Sequence, residues 1–286
     1  ISFLCSIAQP DISIITTIGS AHMENLGSKK NIARAKCEIL QHTKPNGVFL
    51  YNKESSEIDE VIKEIDVDPS IQLHSFGKDG EIYIEGAIDH SRDGIAFRCS
   101  ALEKAVHLNV LGDFQASNAL PVIFTALHQG LSEEQILYGL SHIQMTKMRT
   151  QRLRIGQAIV IDDTYKSNPE SACVAIDTLM HVPAQKHIAV LSDMLDLGPE
   201  ENQLHEKVGH EVVENKIDIL ICNGGNSKNI VEQAKKDGMN EDKIYYFENK
   251  KEILETLEKI AKPGDIILFK ASNGMKFFEL ANRIES

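Results

Sequence analysis

The sequence predicts an α/β protein of two domains, the first with a mixed or parallel sheet and the second Rossmann-like. With 286 residues, the chain is long for a single α/β domain. β-branched runs alternate with amphipathic stretches along most of it, which is typical of parallel strands joined by helices. A polar, cation-rich stretch from Ser141 to Gly156 separates two such series. We therefore expect one domain over residues 1–148 and another over residues 149–286.

The first domain is predicted to open with a strand, a turn and a helix. Ile12 to Ile18 is a β-branched run typical of a buried strand, and Lys29 to Leu40 has helical apolar spacing. Alternating apolar and polar residues from Glu81 to Leu111 indicate antiparallel hairpins instead. The other elements predicted in this domain are strands at 47–52 and 71–76 and helices at 56–65, 117–127 and 133–140.

The second domain is predicted to repeat strand and helix regularly. Strands are expected at 158–162, 187–191, 217–222, 243–247 and 266–269, and helices at 171–180, 204–215, 227–237, 250–261 and from about 275. Polar clusters follow three of these strands, at Asp162 to Pro169, Ser192 to Met194 and Lys270 to Gly274. Because loops at one sheet edge converge on one crevice, the clusters predict a binding site. The alternative is ordinary turn chemistry, since Asp, Ser and Asn favour turns whatever the function.

Composition narrows the classes of function. A formal net charge of −12 and a pI of about 5.4 argue against a general nucleic-acid or membrane-surface binder, although a local pocket can still hold phosphates. The five cysteines include no CxxC spacing, so we expect reduced thiols in a cytoplasmic protein. No apolar run approaches the roughly 20 residues of a membrane span, and we expect no signal peptide.

Two residues of the first domain are candidates on chemical grounds. His22 stands in the predicted turn after the first strand, and Lys36 lies within the helix that follows. A turn histidine is more often a hydrogen-bonded structural residue, and a helical lysine is usually solvated. The sequence contains no GxxxxGK[ST] phosphate-binding loop, and it begins at Ile1 inside a structured pattern. We therefore expect a fragment of a longer protein.

Five motifs follow one another along nearly the whole chain. They are TIGSAHME (17–24) with IARAKCEI (32–39), GDFQASNAL (112–120), IDDTYKSNPES (161–171), AVLSDMLDLG (189–198) followed by His205 and Gly209, and FKASNGM (269–275). In this order they resemble the Mur ligase family, in particular its D-alanyl-D-alanine-adding, MurF-type branch. The resemblance implies a central ATPase-type domain that lacks its P-loop start, followed by the C-terminal domain of such a ligase.

The resemblance also implies an activity, an ATP-dependent ligation in peptidoglycan precursor synthesis. ATP would phosphorylate the carboxylate of UDP-MurNAc-tripeptide, and the amine of D-Ala-D-Ala would attack the acyl phosphate to form an amide. ATP and Mg²⁺ are the implied cofactors. We expect a cytoplasmic monomer with no nucleic-acid or membrane partner, and we expect this fragment alone to be inactive because its P-loop is missing.

Family roles carry over to single residues of this sequence. The resemblance implies that Lys36 is a catalytic carbamate, because a carboxylate suits Mg²⁺ whereas an ammonium repels it, and that His22 lies beside a second metal. Arg149 matches a catalytic arginine whose planar fork stabilises charge on the transferring phosphate. The implied nucleotide contacts are Asn118, Arg149, Asp163 and Lys166, and the implied dipeptide contacts are Asn168, Asp193, Lys270 and Ser272.

The sequence departs from the family pattern at several positions. Phe114-Gln115 replaces His-Asn, which suggests adenine stacking on the phenyl ring. Lys166-Ser167 replaces Asn-Ala and adds a charge there. Near the dipeptide, Gly, Gly and Arg are replaced by Ser192, Ala271 and Asn273. The family glutamate that binds Mg²⁺ is expected just before Ile1.

The sequence leaves two other functions open. One is a related ligase that adds a single amino acid or glutamate, in the manner of MurE or folylpolyglutamate synthase, although the motif DDTYKSNP argues against it. The other is a non-catalytic module that binds nucleotide or dipeptide, because the sequence lacks the phosphate-binding loop.

Overall fold

The computed structural model describes residues 1–19 and 26–284. Its internal contacts divide the chain into two compact units. Unit 1 comprises residues 1–89, 95–109 and 113–143, and unit 2 comprises residues 90–94, 110–112 and 144–286. The main division between residues 143 and 144 falls inside the stretch from Ser141 to Gly156, a few residues before the expected boundary at 148–149. Helices and mostly parallel sheets confirm the predicted α/β class.

A three-stranded parallel sheet forms the first part of unit 1. Its strands, in spatial order, are β1 (Ile12–Ile15), β2 (Val48–Asn52) and β3 (Gln72–Phe76). The helices here are α1 (Ser2–Ala8), α2 (Lys29–Cys37) and α3 (Ser56–Glu64), and a 3₁₀ turn over Glu38–His42 extends α2. Ile15, Ile32, Phe49 and Val61 pack together in its core, so the β-branched strand and the apolar face of α2 meet as predicted.

The second part of unit 1 carries a smaller sheet of β4 (Ile84–His90), β5 (Ile95–Cys99) and β6 (Val106–Leu108). β5 and β6 are antiparallel, as the alternating pattern predicted. Two helices follow, α4 (Asp113–His128) and α5 (Glu133–Ser141). Ser132 and Gln135 form a reciprocal capping box at the start of α5, which explains why the helix begins there.

Unit 2 contains a six-stranded sheet in the order β11-β10-β9-β12-β8-β7. The strands are β7 (Gln151–Ile155), β8 (Ala158–Asp163), β9 (His187–Ser192), β10 (Ile219–Asn223), β11 (Ile244–Tyr246) and β12 (Ile266–Lys270). All neighbouring pairs are parallel except β7 with β8. The sequence did not predict β7. Its short alternation buries Leu153 between the exposed Arg152 and Arg154, and the cationic residues hid that pattern.

Helices cover both faces of this sheet. One face packs against α6 (Pro169–His181), α7 (Glu201–Glu214) and α8 (Lys228–Lys236), and the other against α9 (Lys251–Ile260) and α10 (Phe278–Ile284). The chain leaves β8 and β9 towards the first face and leaves β12, which lies between them, towards the second. This change of side opens a crevice at the carboxyl end of β12, where ligands bind in sheets of this kind.

No helix in the part of the chain that the structure describes is both long enough and apolar enough to cross a membrane.

Candidate active site

The carboxyl edge of the unit 2 sheet brings together the three predicted polar clusters. In the parallel register, Lys270 at the end of β12 lies opposite Asp163 of β8 on one side and Leu191 of β9 on the other. The clusters after β8, β9 and β12 therefore share one crevice. Arg149, Asp163, Lys166, Asn168, Asp193, Lys270 and Ser272 all belong to unit 2.

Lys270 stands at the centre of this edge and is only 2% exposed. Its ammonium donates hydrogen bonds of 2.7 Å to Asp163 Oδ2 and of 2.7 Å to the carbonyl oxygen of Lys166. Burial lowers the pKa of Lys270, and the neighbouring Asp163 carboxylate opposes that shift without cancelling it. The pair fixes the loop after β8 to the end of β12.

Arg149 sits in a short segment that is braced against the same loop. The Tyr165 amide donates to the Met148 carbonyl at 3.0 Å, and the Thr150 amide donates to Asp163 Oδ1 at 3.2 Å. Met148 and Thr150 both adopt left-handed backbone, with φ of 62° and 50°, which is unfavourable for side chains other than glycine. The guanidinium carbon of Arg149 lies 4.1 Å from the centre of the Tyr165 ring. This stacking orients an otherwise exposed cation at the edge of the crevice.

Asp193 and Ser272 are held by backbone groups of neighbouring loops. Asp193 Oδ1 accepts a 2.7 Å hydrogen bond from the Ser227 amide, and the Asp193 carbonyl accepts one from the Ser272 amide at 3.3 Å. The Leu195 amide donates to Ser272 Oγ at 3.0 Å. Gly224 has a φ of 125°, and a Cβ there would collide with the Asp193 carboxylate, so only glycine allows the loop to approach so closely.

Asn168 and Lys166 take different positions in the loop after β8. The side-chain oxygen of Asn168 accepts from the Ser171 amide at 2.8 Å and caps α6, with Pro169 in the first helical position. The side-chain oxygen of Asn168 is therefore already engaged in capping α6. The carbonyl oxygen of Lys166 accepts a hydrogen bond from the Lys270 ammonium. The Lys166 residue itself is exposed, so its own ammonium is accessible to solvent.

Lys36 lies in unit 1, in the last turn of α2. Ser28 caps the start of this helix by accepting from the Asn31 amide at 3.2 Å. Lys36 is half-buried, and its Nζ donates a 2.6 Å hydrogen bond to the Thr17 carbonyl just beyond β1. Burial lowers the pKa of Lys36, which enlarges the share of neutral amine. His22 lies outside the described residues.

Asn118 is exposed in the first turns of α4. A cavity of about 590 Å³ opens beside the same helix and is lined by Ser117 and Leu120 but not by Asn118. Its other walls come from Glu54, the turn 77–80, Tyr83 and Ile84. Asn118, which the resemblance connects with adenine, is not among the residues that line this cavity.

Several residues that shape the unit 2 crevice were absent from the sequence prediction. Tyr165 and Thr150 orient Arg149 and Asp163, and the Ser227 amide holds Asp193. Tyr165 lies within the motif IDDTYKSNPES and could have been chosen as a partner for a nearby cation. Nothing in the sequence around Thr150 or Ser227 indicates these contacts, because each acts through its backbone amide.

Family comparisons match both units of the chain. Residues 2–126 match the Mur ligase middle domain, and residues 148–273 match the Mur ligase glutamate ligase domain. Among curated relatives, the UDP-N-acetylmuramoyl-tripeptide–D-alanyl-D-alanine ligase of Bacillus subtilis is 31% identical over 282 residues, covering 98% of this chain and 60% of the relative. The enzyme of the same name from Synechocystis is 31% identical, covering 96% and 58%. The chain thus spans about 60% of the length of these relatives.

Solved structures share the fold. A crystal structure of MurF from Acinetobacter baumannii aligns with a TM-score of 0.84 and 27% identity, covering 100% of this chain and 62% of that one. The MurF ligase of Thermotoga maritima in complex with ADP aligns with a TM-score of 0.83 at 22% identity, covering 99% and 64%, which shows a common fold.

Proposed function

This chain belongs to the Mur ligase family, and on that premise we propose that it supplies the middle and C-terminal domains of an ATP-dependent ligase that adds D-Ala-D-Ala to UDP-MurNAc-tripeptide. The observation that carries the proposal is the ion pair between Asp163 and the buried Lys270, which gathers the motifs after β8 and β12 into one polar crevice. The similarity to ligases of that name extends over 98% of the chain and supports the choice of substrates.

The proposed reaction has two steps. The tripeptide carboxylate attacks the γ-phosphorus of ATP and ADP leaves, which gives an acyl phosphate. The amine of D-Ala-D-Ala then attacks the acyl carbon, phosphate leaves, and the amide forms with loss of a proton. Arg149 stabilises the negative charge on the transferring phosphoryl group, and Tyr165 keeps its guanidinium in place. Asn118, Asp163 and Lys166 contact the nucleotide in this proposal.

Lys36 is the proposed metal-side residue of unit 1. An ammonium does not ligate Mg²⁺, so the side chain fits the metal only after CO₂ has added to its neutral amine. The lowered pKa of Lys36 favours that addition, and the Thr17 carbonyl already holds Nζ in a fixed direction. Mg²⁺ would neutralise phosphate charge during transfer. His22 is the proposed neighbour of a second metal ion.

The dipeptide is proposed to bind in the unit 2 crevice. Asp193 is proposed to contact the dipeptide's ammonium group through its carboxylate. Lys270, at the end of β12, and Ser272, in the loop that follows, are proposed to contact the dipeptide through an ammonium and a hydroxyl. Asn168 is proposed to contact the dipeptide through its amide nitrogen, since its oxygen caps α6. The enzyme is proposed to act in the cytoplasm and as a monomer.

This function can be tested by measuring the release of phosphate from ATP with the full protein. We expect release only when UDP-MurNAc-tripeptide and D-Ala-D-Ala are both present. Release that depends on a free amino acid or on glutamate would assign the chain to another branch of the family. Binding of ADP or dipeptide without turnover would indicate a non-catalytic module.

A further inference from the structure

His205 is a fully buried histidine next to the unit 2 crevice, and the reaction described above does not use it. It lies in α7 and is 0% exposed. Its Nδ1 is 2.7 Å from the Glu201 carbonyl oxygen, one turn earlier in the same helix. Its Nε2 is 3.0 Å from the amide nitrogen of Met194, in the loop after β9. Both ring nitrogens therefore contact backbone groups.

These two partners determine the proton arrangement of the ring. A carbonyl oxygen can only accept, so Nδ1 carries the hydrogen that it donates to Glu201. A backbone amide can only donate, so Nε2 is unprotonated and accepts from Met194. Only the neutral ring with hydrogen on Nδ1 satisfies both contacts. His205 thus ties the loop after β9 rigidly to α7.

The tied loop is the one that organises the proposed dipeptide site. Met194 lies between Asp193, whose carbonyl accepts from the Ser272 amide, and Leu195, whose amide donates to Ser272 Oγ. A movement of the Met194 amide would therefore displace Asp193 and Leu195, which both hydrogen-bond to Ser272. The neighbouring Met194 side chain is itself buried in the core, at 1% exposure, so the tether and the packing act on the same residue.

We infer that His205 is a positioning residue for the incoming amine substrate: its Nε2 fixes the backbone of Asp193, Met194 and Leu195 and so aligns Asp193 with Ser272. The inference rests on the proposed function for its choice of substrate. It predicts an effect on dipeptide recognition and little effect on nucleotide recognition, because His205 contacts neither Arg149 nor Asp163.

Three variants test the role of His205. His205→Leu introduces an apolar side chain of similar bulk that lacks the acceptor for the Met194 amide. His205→Gln retains an acceptor near the position of Nε2. His210→Gln is the matched control, since His210 lies on the same helix but is exposed and contacts Asp237 instead.

In the full protein, we expect His205→Leu to raise the KM for D-Ala-D-Ala about tenfold while the KM for ATP stays within about twofold, because a buried amide loses its partner. His205→Gln should recover most of the loss, and His210→Gln should resemble the unmodified protein. An unchanged dipeptide KM in a folded His205→Leu variant would overturn the inference, as would an equal rise in both KM values.

Amide hydrogen exchange gives a second readout that needs no turnover. We expect exchange in the segment 193–195 to accelerate about tenfold or more in His205→Leu and to return towards normal in His205→Gln. Unaltered exchange would refute the tether itself. If the unmodified protein does not use D-Ala-D-Ala, the proposed function fails, while the exchange result still decides whether His205 fixes this loop.

Discussion

Lys270 and Asp163 are separated by 107 positions in the sequence, yet they lie opposite one another in the register of two parallel strands and share a 2.7 Å ion pair. The side chain of Lys270 is 3% exposed, whereas the side chain of Asp163 is 21% exposed. The buried partner of the pair is thus the cation. Removal of the anion leaves that buried cation with the Lys166 carbonyl as a partner but with no opposite charge, which is the more damaging of the two possible losses.

Asp163→Asn should therefore destabilise unit 2. The side-chain oxygen of the new Asn can still accept from the Thr150 amide. The negative charge that opposes the effect of burial on the pKa of Lys270 is gone, however, so this pKa falls further below its ordinary value of 10.5. We expect a loss of about 2 kcal/mol in the free energy of unfolding at pH 7, measured by urea denaturation.

The pH dependence of this loss has a definite sign. A lysine whose pKa is lower in the folded state destabilises the fold while it is protonated, and the penalty disappears as the pH rises towards 10.5. The difference in the free energy of unfolding between Asp163→Asn and the unmodified protein should shrink from pH 7 to pH 10. Lys270→Met is the control, because it removes the titrating group, and a difference that grows with pH would contradict the account.

Tyr165→Leu should lower kcat by removing the ring that orients Arg149. A cation over an exposed aromatic ring contributes about 0.5–1 kcal/mol, which corresponds to a factor of about 2–5 in rate. Tyr165→Phe keeps the ring and should remain within about twofold of the unmodified protein. Steady-state rates at saturating substrates check this, and equal losses in the two variants would show that the hydroxyl, rather than the ring, is what matters.

Lys36 should carry a carbamate in the active protein. We expect ¹³C-bicarbonate to give a carbamate signal in the NMR spectrum, and we expect activity to fall in CO₂-free buffer and to return when bicarbonate is added. Lys36→Arg keeps the positive charge but cannot form the modification, so it should lose both the signal and the activity. Full activity in Lys36→Arg would exclude this role for Lys36.

Cys37 should make unfolding sensitive to alkali. Burial raises the pKa of this thiol from 9.0 to about 11, and the side chain is 1% exposed. Stabilisation from the protonated thiol is complete below pH 9 and is lost as the pH rises through 11. Between pH 8 and pH 11, the midpoint temperature of thermal unfolding should fall less steeply with pH in Cys37→Ala than in the unmodified protein. Identical slopes in both proteins would rule out the contribution.

Much of the fold could be predicted because local patterns agree with the final packing. The strand at Ile266 to Phe269 is a run of buried apolar residues, and Asn168-Pro169 announces the start of α6 through its cap. β7 was missed because its arginines were interpreted as a polar junction. Only the pairing with β8 shows that Arg152 and Arg154 flank an inward Leu153.

The sequence predicted which polar clusters meet at the carboxyl edge of the unit 2 sheet, but it did not predict their geometry. The polar clusters after β8, β9 and β12 indicated a binding site at one edge of the sheet. No local pattern, however, gives the strand register that places Lys270 beside Asp163. The left-handed backbone at Thr150 and the Ser227 amide beneath Asp193 depend on long-range contacts in the same way. His22 and the predicted second metal stay predictions.

Isotope transfer tests the central claim most directly. The full protein would be supplied with ATP, D-Ala-D-Ala and UDP-MurNAc-tripeptide in which both oxygens of the reacting carboxylate are ¹⁸O. An acyl phosphate mechanism predicts an amide product extended by the dipeptide and one ¹⁸O atom in each phosphate released. Phosphate without ¹⁸O, or ATP turnover without the extended product, would contradict the assignment of this chain to D-Ala-D-Ala ligation.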